Sequence, residues 1–263
     1  MANPLREVWG EGRTAFGLWS VVPGSFGVEI LAGTGADYVC VDQQHGVIGY
    51  DAMVPMLQGI QVGGATPITR VLSGDPYGIM KSLDAGAWGV IVPLVNSAAD
   101  AERAVAACHY PPRGVRSYGP TRAASVVGSG DPEILEAETL CLVMVETREA
   151  LERVDEIAAT PGLDGIYVGP SDLALALGLP PTLEVREDEH AEAIERVRDA
   201  CATNGIAAGI HAPSGEWARR HVEAGFDMVT VATDASLLGE AALGEVAAAR
   251  GGQAGDASRR GYS

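Results

Sequence analysis

Eight short apolar runs recur along the chain, and their spacing is the feature that most restricts its fold. Seven amphipathic or polar connections separate them, and the runs lie at residues 15–19, 38–41, 66–71, 89–93, 140–145, 165–168, 207–210 and 228–231. Most runs are apolar at every position, which is typical of parallel strands that are covered on both faces. The pattern therefore predicts strands that alternate with helices, including amphipathic helices at 98–107, 148–158 and 189–202.

The length of the chain narrows the choice of architecture. Eight strand-to-helix units within 263 residues match a (β/α)8 TIM barrel, which typically needs about 250 residues. An open, doubly wound sheet is the alternative, but it requires a glycine-rich fingerprint after the first strand, and residues 19–24 (WSVVPG) lack one. We predict an α/β fold, a single-domain TIM barrel over residues 1–250, followed by a flexible tail at 251–263.

The connections between the runs carry two further signals. Short sequences that end just before strands, GAD at 35–37, GAW at 86–88, LDG at 163–165 and GFD at 225–227, predict repeated helix-to-strand turns with glycine at the helix end. Residues 108–139 are rich in Pro, Gly and Arg and are too long for a plain loop. We interpret them as an insertion after a strand, of the kind that usually serves function.

Composition excludes several classes of partner. The formal net charge of -17 repels nucleic acid and acidic membrane surfaces. No apolar run reaches membrane-spanning length, and the first residues lack a signal-peptide core. The four cysteines, Cys40, Cys108, Cys141 and Cys201, show no metal-ligand spacing. We expect buried, reduced thiols in a cytoplasmic protein that has neither nucleic acid nor a membrane as a partner.

Lys81 is the only lysine in the chain, which excludes much chemistry. Schiff-base aldolases, pyridoxal enzymes and P-loop enzymes all require a lysine in the site. Lys81 lies in a stretch, residues 79–83, with a helical pattern. We therefore predict a solvated lysine on a helix, without a catalytic role.

Two carboxylates follow consecutive strands of the predicted barrel. Glu146 comes directly after the run 140–145, and Asp172 comes four residues after the run 165–168. The carboxyl ends of barrel strands meet at one mouth, where TIM-barrel chemistry is located. Two carboxylates with an otherwise open coordination shell commonly hold Mg²⁺ or Mn²⁺ with an anionic substrate. The structural alternative is that both acids are helix N-caps.

Other polar or aromatic side chains also follow the predicted strands, namely Trp19, Asp42, His45, Arg70, Ser171, His211 and Thr233. His45 is a candidate general base, although a surface histidine is the alternative. Arg70 is a candidate for binding a carboxylate or an enolate oxygen, although it could form a structural ion pair. His211 is a weaker candidate. We expect His109, His190 and His221 at the surface, and Arg116 and Arg122 either form an anion site or fold their loop.

Five segments of the chain together resemble a known family. They are VDQQHG at 41–46, PITRV at 67–71, LDAGAWGVIVP at 83–93, VET at 145–147 and IYVGPSDL at 166–173. This set resembles the HpcH/HpaI aldolases, which are metal-dependent class II pyruvate aldolases typified by 4-hydroxy-2-oxoheptanedioate aldolase. The resemblance extends from about Phe16 to Thr233, in the same order and spacing.

The resemblance implies a role for each matching residue. Glu146 and Asp172 match the metal ligands, His45 matches the general base, and Arg70 matches the arginine that stabilises the enolate. The substrate carboxylate would meet the backbone amide at Ser171, and we expect Gly169 and Trp19 to line the same substrate site.

Asp84 matches an acid that raises the basicity of the histidine. Our topology places Asp84 after a helix, at the far end of its own barrel, so it would have to reach the site of a neighbouring subunit. Asp42 is the local alternative partner for His45. The resemblance implies a homo-oligomer that would allow such sharing, a hexamer built as a trimer of dimers.

The resemblance also implies a reaction. It is the reversible aldol cleavage of 4-hydroxy-2-oxo acids to pyruvate and an aldehyde, with Mg²⁺, Mn²⁺ or Co²⁺ as cofactor and a place in aromatic compound catabolism. Two departures bear on the substrate, because Gln44 replaces a common Glu and Met144 replaces a substrate-binding Gln. The alternatives are a citrate lyase β-like or malyl-CoA-type lyase acting on an acyl-CoA, and a barrel that binds 2-oxo acids without catalysis.

Overall fold

Eight parallel strands form a closed barrel in which each strand pairs with its neighbours in chain order. The structure, a computed structural model, describes residues 2–251, so the predicted tail beyond Gly251 lies outside the described residues. The strands are β1 (Ala15–Ser20), β2 (Tyr38–Asp42), β3 (Thr66–Arg70), β4 (Gly89–Val92), β5 (Leu140–Val145), β6 (Gly165–Val168), β7 (Ala207–His211) and β8 (Met228–Thr233). The predicted TIM barrel is confirmed.

Helices surround the barrel and connect its strands. They are α1 (Pro4–Gly10), α2 (Ser25–Ala32), α3 (Tyr50–Gly63), α4 (Pro76–Asp84), α5 (Ala98–Cys108), α6 (Ala123–Val127), α7 (Pro132–Ala137), α8 (Arg148–Glu152), α9 (Val154–Ala158), α10 (Pro170–Ala176), α11 (Asp188–Asn204), α12 (Gly215–Glu223) and α13 (Asp234–Ala249). Within the described residues, none of these helices combines the length and apolar character needed to cross a membrane.

The strand predictions are correct to within two residues at each end. The largest difference is in β8, which continues to Thr233 because Ala232 and Thr233 pair with Leu18 and Trp19 of β1. A register shift at Gly17 and Leu18 accompanies this pairing. The predicted apolar run ends at Val231, so the sequence pattern alone stops two residues before the strand does.

A layer of large side chains fills the barrel below the carboxyl ends of the strands. Gly17 makes room for it, because a Cβ at this position would lie 2.1 Å from Cζ of Tyr38. The hydroxyl groups of Tyr38 and Tyr167 lie 2.8 Å and 2.6 Å from Oγ1 of Thr230. Their buried polar atoms are therefore paired within the barrel, as buried hydroxyls require. The barrel interior is filled at this level, below the carboxyl ends of the strands.

The helix-to-strand turns repeat one arrangement. Three of the four predicted turns have a glycine with a left-handed backbone, which favours a residue without a side chain, with φ of 91° at Gly35, 95° at Gly86 and 93° at Gly225. In the fourth, Gly165 is instead the first residue of β6. Aspartates after three helices each accept the backbone N–H of the second residue of a neighbouring strand, Asp37 from Phe16, Asp164 from Cys141 and Asp227 from Ala208. The short repeated sequences therefore begin strands in register.

Residues 108–139 lie at the opposite end of the barrel from the mouth, so our interpretation as an insertion after a strand is wrong. They connect the end of α5 to the start of β5 and contain α6 and α7. Arg116 is buried, stacks on Tyr110 at 4.7 Å and pairs with Asp84 at 2.8 Å. Arg122 donates to the carbonyl of Ala85 at 2.8 Å. Both arginines fold the segment.

Some predictions of which side chains lie at the surface and which lie in the core are correct, and others are wrong. All four cysteines are buried and free of disulfides, as predicted. Lys81 is exposed on α4, with its ammonium 4.5 Å from the ring of Tyr50. His190 and His221, in contrast, are buried at 0% and 6% exposure, and His109 is only partly exposed. The prediction failed because it followed the polarity of histidine, whereas His190 and His221 lie on the buried faces of α11 and α12.

Candidate active site

A pocket opens at the carboxyl end of the barrel, and most of the predicted site residues line it. The lining residues are Trp19, His45, Arg70, Met144, Tyr167, Gly169, Pro170, Ser171, Asp172, Leu183 and His211. They come from β1, β3, β5, β6 and β7 and from the segments that follow β2 and β6. Closure of the barrel thus brings together side chains that are far apart in sequence.

Arg70, the last residue of β3, is held by a buried carboxylate. Its Nε donates to Asp42 Oδ1 at 2.9 Å and its Nη2 donates to Asp42 Oδ2 at 2.5 Å. The indole Nε1 of Trp19 also donates to Asp42 Oδ2, at 3.1 Å, and the guanidinium lies 5.0 Å from the Trp19 ring. Side-chain exposure is 7% for Arg70 and 0% for Asp42. The fork geometry orients the guanidinium, since two parallel hydrogen bonds leave it little freedom.

Burial by itself would raise the pKa of Asp42, but the hydrogen bonds and charge of Arg70 hold it below its usual value. The carboxylate therefore stays ionised at neutral pH and neutralises Arg70. The two alternatives for Arg70, structural ion pair and pocket residue, are both realised in the structure. The side chain pairs with Asp42 and still lines the pocket.

The loop after β2 carries His45 and is anchored by the same aspartate. Asp42 Oδ1 accepts the backbone N–H groups of Gln44 at 2.9 Å and of His45 at 3.2 Å. Gly46 closes the turn, because a Cβ there would lie 2.2 Å from the carbonyl oxygen of Asp42. His45 is exposed at the rim of the pocket. Asp42 thus positions the backbone of His45 as well as the guanidinium of Arg70.

Glu146 follows β5 directly and is 2% exposed. Its Oε1 accepts the backbone N–H of Leu94 at 2.8 Å, and Leu94 has the left-handed φ of 55°, which is uncommon for a residue other than glycine. The pKa of Glu146 is raised to about 7, mainly by burial and also by the charge of Asp172, while the Leu94 hydrogen bond and the charge of Arg70 oppose the rise. Nearby positive charge therefore does not compensate the buried carboxylate fully.

Asp172 is exposed in the first turn of α10, beside the pocket wall formed by Gly169 and Ser171. A Cβ at Gly169 would lie 2.7 Å from Oε2 of Glu146, so only glycine leaves room for that carboxylate. Oγ of Ser171 is buried and has no hydrogen-bond partner among the described residues. The N-caps of α8 and α10 are Thr147 and Gly169, so the N-cap alternative for the two acids is wrong.

Two carboxylates are too few to fill the coordination shell of a metal ion with protein ligands alone. Within residues 2–251, no group of three or more His, Cys, Asp and Glu side chains could hold a metal ion. A cation bound by Glu146 and Asp172 would take its remaining ligands from water and substrate, which is usual for Mg²⁺.

Asp84 does not reach the pocket of its own chain. It ends α4, next to the amino end of β4, and its carboxylate pairs with Arg116. This position agrees with the topology predicted from the sequence. Its suggested action on a neighbouring subunit stays a prediction.

Residues 15–241 match the HpcH/HpaI aldolase/citrate lyase family. The chain belongs to that family. It is 44% identical over 248 residues to a hydroxypyruvate/pyruvate aldolase of Rhizorhabdus wittichii, covering 94% of this chain and 99% of the relative. It is 34% identical over 257 residues to a 4-hydroxy-2-oxo-heptane-1,7-dioate aldolase of Shigella flexneri, covering 96% and 94%.

Solved structures agree with this assignment. An HpcH/HpaI aldolase/citrate lyase family protein from Burkholderia cenocepacia superposes with a TM-score of 0.87 at 30% identity, covering 95% of this chain and all of the other. Membership of the HpcH/HpaI family confirms the predicted enzyme class, a metal-dependent class II aldolase that cleaves its substrate to pyruvate.

Three residues that line the pocket were not among the predicted site residues. Tyr167 lies within β6, whose apolar run predicts only a buried strand, Pro170 is the first residue of α10, and Leu183 lies in the segment between α10 and α11. The strand pattern offered a signal for Tyr167, because it lies two residues before Gly169 on the same face of the strand. Nothing in the local sequence points to Leu183, which reaches the pocket only through the tertiary fold.

Proposed function

We propose that this chain cleaves 4-hydroxy-2-oxo acids reversibly to pyruvate and an aldehyde, with Glu146 and Asp172 as the ligands of a divalent cation. One observation supports this most strongly. Glu146 is a carboxylate at 2% exposure whose pKa is raised by burial and by the charge of Asp172. Two neighbouring acids at the end of a barrel, one of them buried, are stabilised by a cation.

The residues present fit such a cation. Gly169 leaves space beside Oε2 of Glu146, and Leu94 fixes the other oxygen through its backbone N–H. Oxygen ligands and an open shell suit Mg²⁺, Mn²⁺ or Co²⁺. When bound, the ion supplies Lewis acidity to the carboxylate and keto oxygens of the 2-oxo acid.

Arg70 is proposed to stabilise the developing enolate. Its guanidinium lines the pocket, and the Asp42 and Trp19 contacts fix its orientation before substrate arrives. A donor that is already oriented loses little free energy to reorganisation when negative charge forms on the C2 oxygen. The substrate carboxylate would meet the backbone amide of Ser171 near the start of α10, with Gly169 and Trp19 as the adjoining walls.

His45 is proposed as the general base. Its neutral imidazole would take the proton of the C4 hydroxyl, directly or through a water molecule. The bond between C3 and C4 then breaks, its electron pair forms the enolate, and the aldehyde leaves. Protonation of the enolate at C3 gives pyruvate. No imine is required, in agreement with a single lysine that lies on the surface of α4.

A pair of matched variants tests the metal site. Glu146→Gln removes the buried charge with little change in shape, and Glu149→Gln makes the same change at an exposed position of α8. We expect Glu146→Gln to lose both Mn²⁺ binding, measured by calorimetry, and pyruvate release. Glu149→Gln should keep both. Pyruvate release by chelator-treated protein at the parent rate would refute the proposal.

Replacing the base separates the remaining alternatives. His45→Ala should nearly abolish cleavage while the methyl protons of pyruvate still exchange with deuterated water, because the cation and Arg70 remain. A barrel that only binds 2-oxo acids would show no turnover in the parent protein either. A lyase for acyl-CoA substrates would cleave a malyl-CoA-type thioester in preference to the free acid. Parent-level cleavage by His45→Ala would remove the histidine from the mechanism.

Asp84 is proposed to act on the histidine of a neighbouring subunit in a homo-oligomer, a hexamer built as a trimer of dimers. Mixed oligomers can test this. Asp84→Asn chains and His45→Ala chains should each have low activity, yet their mixture should recover activity, because some sites then combine an intact His45 with an intact Asp84. Failure of the mixture to recover would place both residues in one chain or remove Asp84 from the site.

A further inference from the structure

His211 is a pocket residue that the proposed reaction leaves without a role. It ends β7 and lies on the pocket wall. Its ring packs edge-to-face against Trp19, with 5.4 Å between the ring centroids and 78° between the planes. Trp19 is itself fixed by its hydrogen bond to Asp42. The orientation of the imidazole is therefore set by a rigid aromatic neighbour, as expected of a group that recognises a ligand.

The hydrogen-bonding capacity of His211 is largely unused. Among the described residues, Nε2 has one long contact, 3.4 Å to Oγ1 of Thr233, and Nδ1 has none. The pKa of His211 is lowered to about 3, mainly by burial and also by the charge of Arg70, while the charge of Asp42 opposes the shift. The ring is therefore neutral at physiological pH, with one nitrogen that donates and one that accepts.

Apart from the buried Oγ of Ser171, which has no partner among the described residues, the other polar groups around the pocket already have a charge, a proposed role or a hydrogen-bond partner. Arg70 supplies positive charge, and Glu146 and Asp172 supply negative charge. The hydroxyl of Tyr167 lies 2.6 Å from Thr230, so it is already occupied. Met144 and Leu183 are apolar. A neutral imidazole beside Arg70 is poorly suited to bind a second anion, but its donor and acceptor match an alcohol, which both donates and accepts.

We propose that His211 determines substrate specificity by hydrogen bonding to a hydroxyl group of the substrate, so that the enzyme prefers hydroxylated over plain substrates. The hydroxyl group can belong to C3 of the 2-oxo acid, as in hydroxypyruvate, or to the aldehyde, as in glycolaldehyde. This inference rests on the proposed function and assigns its substrate class. A site built to pair with an alcohol discriminates against analogues that lack it, because its polar atoms are then left unpaired.

Two substrate pairs and three proteins test the inference. The donor pair is hydroxypyruvate and pyruvate with one aldehyde, and the acceptor pair is glycolaldehyde and acetaldehyde with pyruvate. The proteins are the parent, His211→Phe, which keeps an aromatic ring against Trp19, and His211→Asn, which keeps a donor and an acceptor. The measurement is the ratio of kcat/KM between the hydroxylated and plain members of each pair, with thermal unfolding to verify the fold.

We expect His211→Phe to lower the ratio about tenfold in at least one pair, the free-energy equivalent of about one hydrogen bond. The pair that responds identifies which molecule carries the hydroxyl, and His211→Asn should recover part of its ratio. Ratios that stay within twofold of the parent in both pairs would overturn the proposal, even if both rates fell. A fall of the ratios in His211→Asn as large as in His211→Phe would also overturn it.

Failure of the proposed function would be visible separately. If the parent protein releases no pyruvate and forms no aldol product, the function is refuted. The donor pair can still be compared by calorimetric binding of hydroxypyruvate and pyruvate to the Mn²⁺-loaded proteins. A preference for hydroxypyruvate that His211→Phe abolishes would then support the assignment. Without an aldol reaction no aldehyde is bound as a substrate, so equal preference in both proteins would leave no hydroxyl group for His211 and would refute it.

Discussion

Replacing Asp42 with Asn tests whether one buried carboxylate organises the mouth of the barrel. The substitution keeps the shape of the side chain and removes its charge. In the parent protein the carboxylate accepts five N–H groups, from Trp19, Gln44, His45 and twice from Arg70. An amide has one acceptor oxygen and an NH2 group, so the donors on its other side would face a donor.

The magnitude follows from burial. Side-chain exposure is 0% for Asp42 and 7% for Arg70, so water cannot replace the lost partner. Breaking a buried ion pair by removing one partner costs about 3–5 kcal/mol, because an uncompensated charge stays in the interior. Asp100→Asn is a matched control, since Asp100 pairs with Arg103 at side-chain exposures of 28% and 64%. A pair so exposed contributes about 1 kcal/mol or less.

Urea unfolding of both variants, followed by circular dichroism, measures the difference. We expect Asp42→Asn to lower the free energy of unfolding by about 3–5 kcal/mol and, in the fraction that folds, to reduce turnover on the order of a hundredfold through misdirection of Arg70. Equal stabilities of Asp42→Asn and Asp100→Asn would refute the reasoning, as would full turnover in Asp42→Asn.

Three further predictions concern the loop, the core and the pH range. Gly46→Ala should displace the His45 loop, because its Cβ would lie 2.2 Å from the carbonyl oxygen of Asp42. The relative loss of turnover should exceed the relative loss of unfolding free energy. Turnover at the parent rate would contradict this. Gly17→Ala should destabilise the barrel, with a Cβ 2.1 Å from Tyr38, and an unchanged melting temperature would contradict it. Burial lowers the pKa of His221 to about 4. Between about pH 6.5 and 4, the imidazole of His221 is therefore protonated in the unfolded chain but neutral in the folded chain. As the pH falls through that range, the free energy of unfolding should decrease by on the order of 3 kcal/mol. His221→Phe should flatten this slope in urea unfolding at several pH values, and parallel curves would count against it.

Much of the fold was readable in the sequence because parallel strands in a barrel are buried on both faces. That burial imposes apolar runs that stand out locally, and the strand bounds were predicted to within two residues. Because barrel strands all end at the same mouth, the residues after each run could be grouped before any contact was known. Trp19, His45, Arg70, Ser171 and Asp172 all line the pocket.

The tertiary structure alone decided how these residues hold one another. Asp42 was the local candidate partner for His45, yet its carboxylate accepts two hydrogen bonds from the guanidinium of Arg70, 28 residues away in the sequence. Residues 108–139 were assigned to the wrong end of the barrel, because composition does not reveal whether a long connection precedes or follows a strand.

His190 and His221 show a different kind of error. Both were expected at the surface because histidine is polar, yet both lie on the buried faces of their helices, His190 at helical spacing from Ala193 and Ile194 and His221 at helical spacing from Ala218. Periodicity and strand ends are local properties that each segment carries in its own sequence, so the direction of these rings could be predicted. Side-chain pairing depends on barrel closure, which joins segments far apart in the chain, and no local pattern records that geometry.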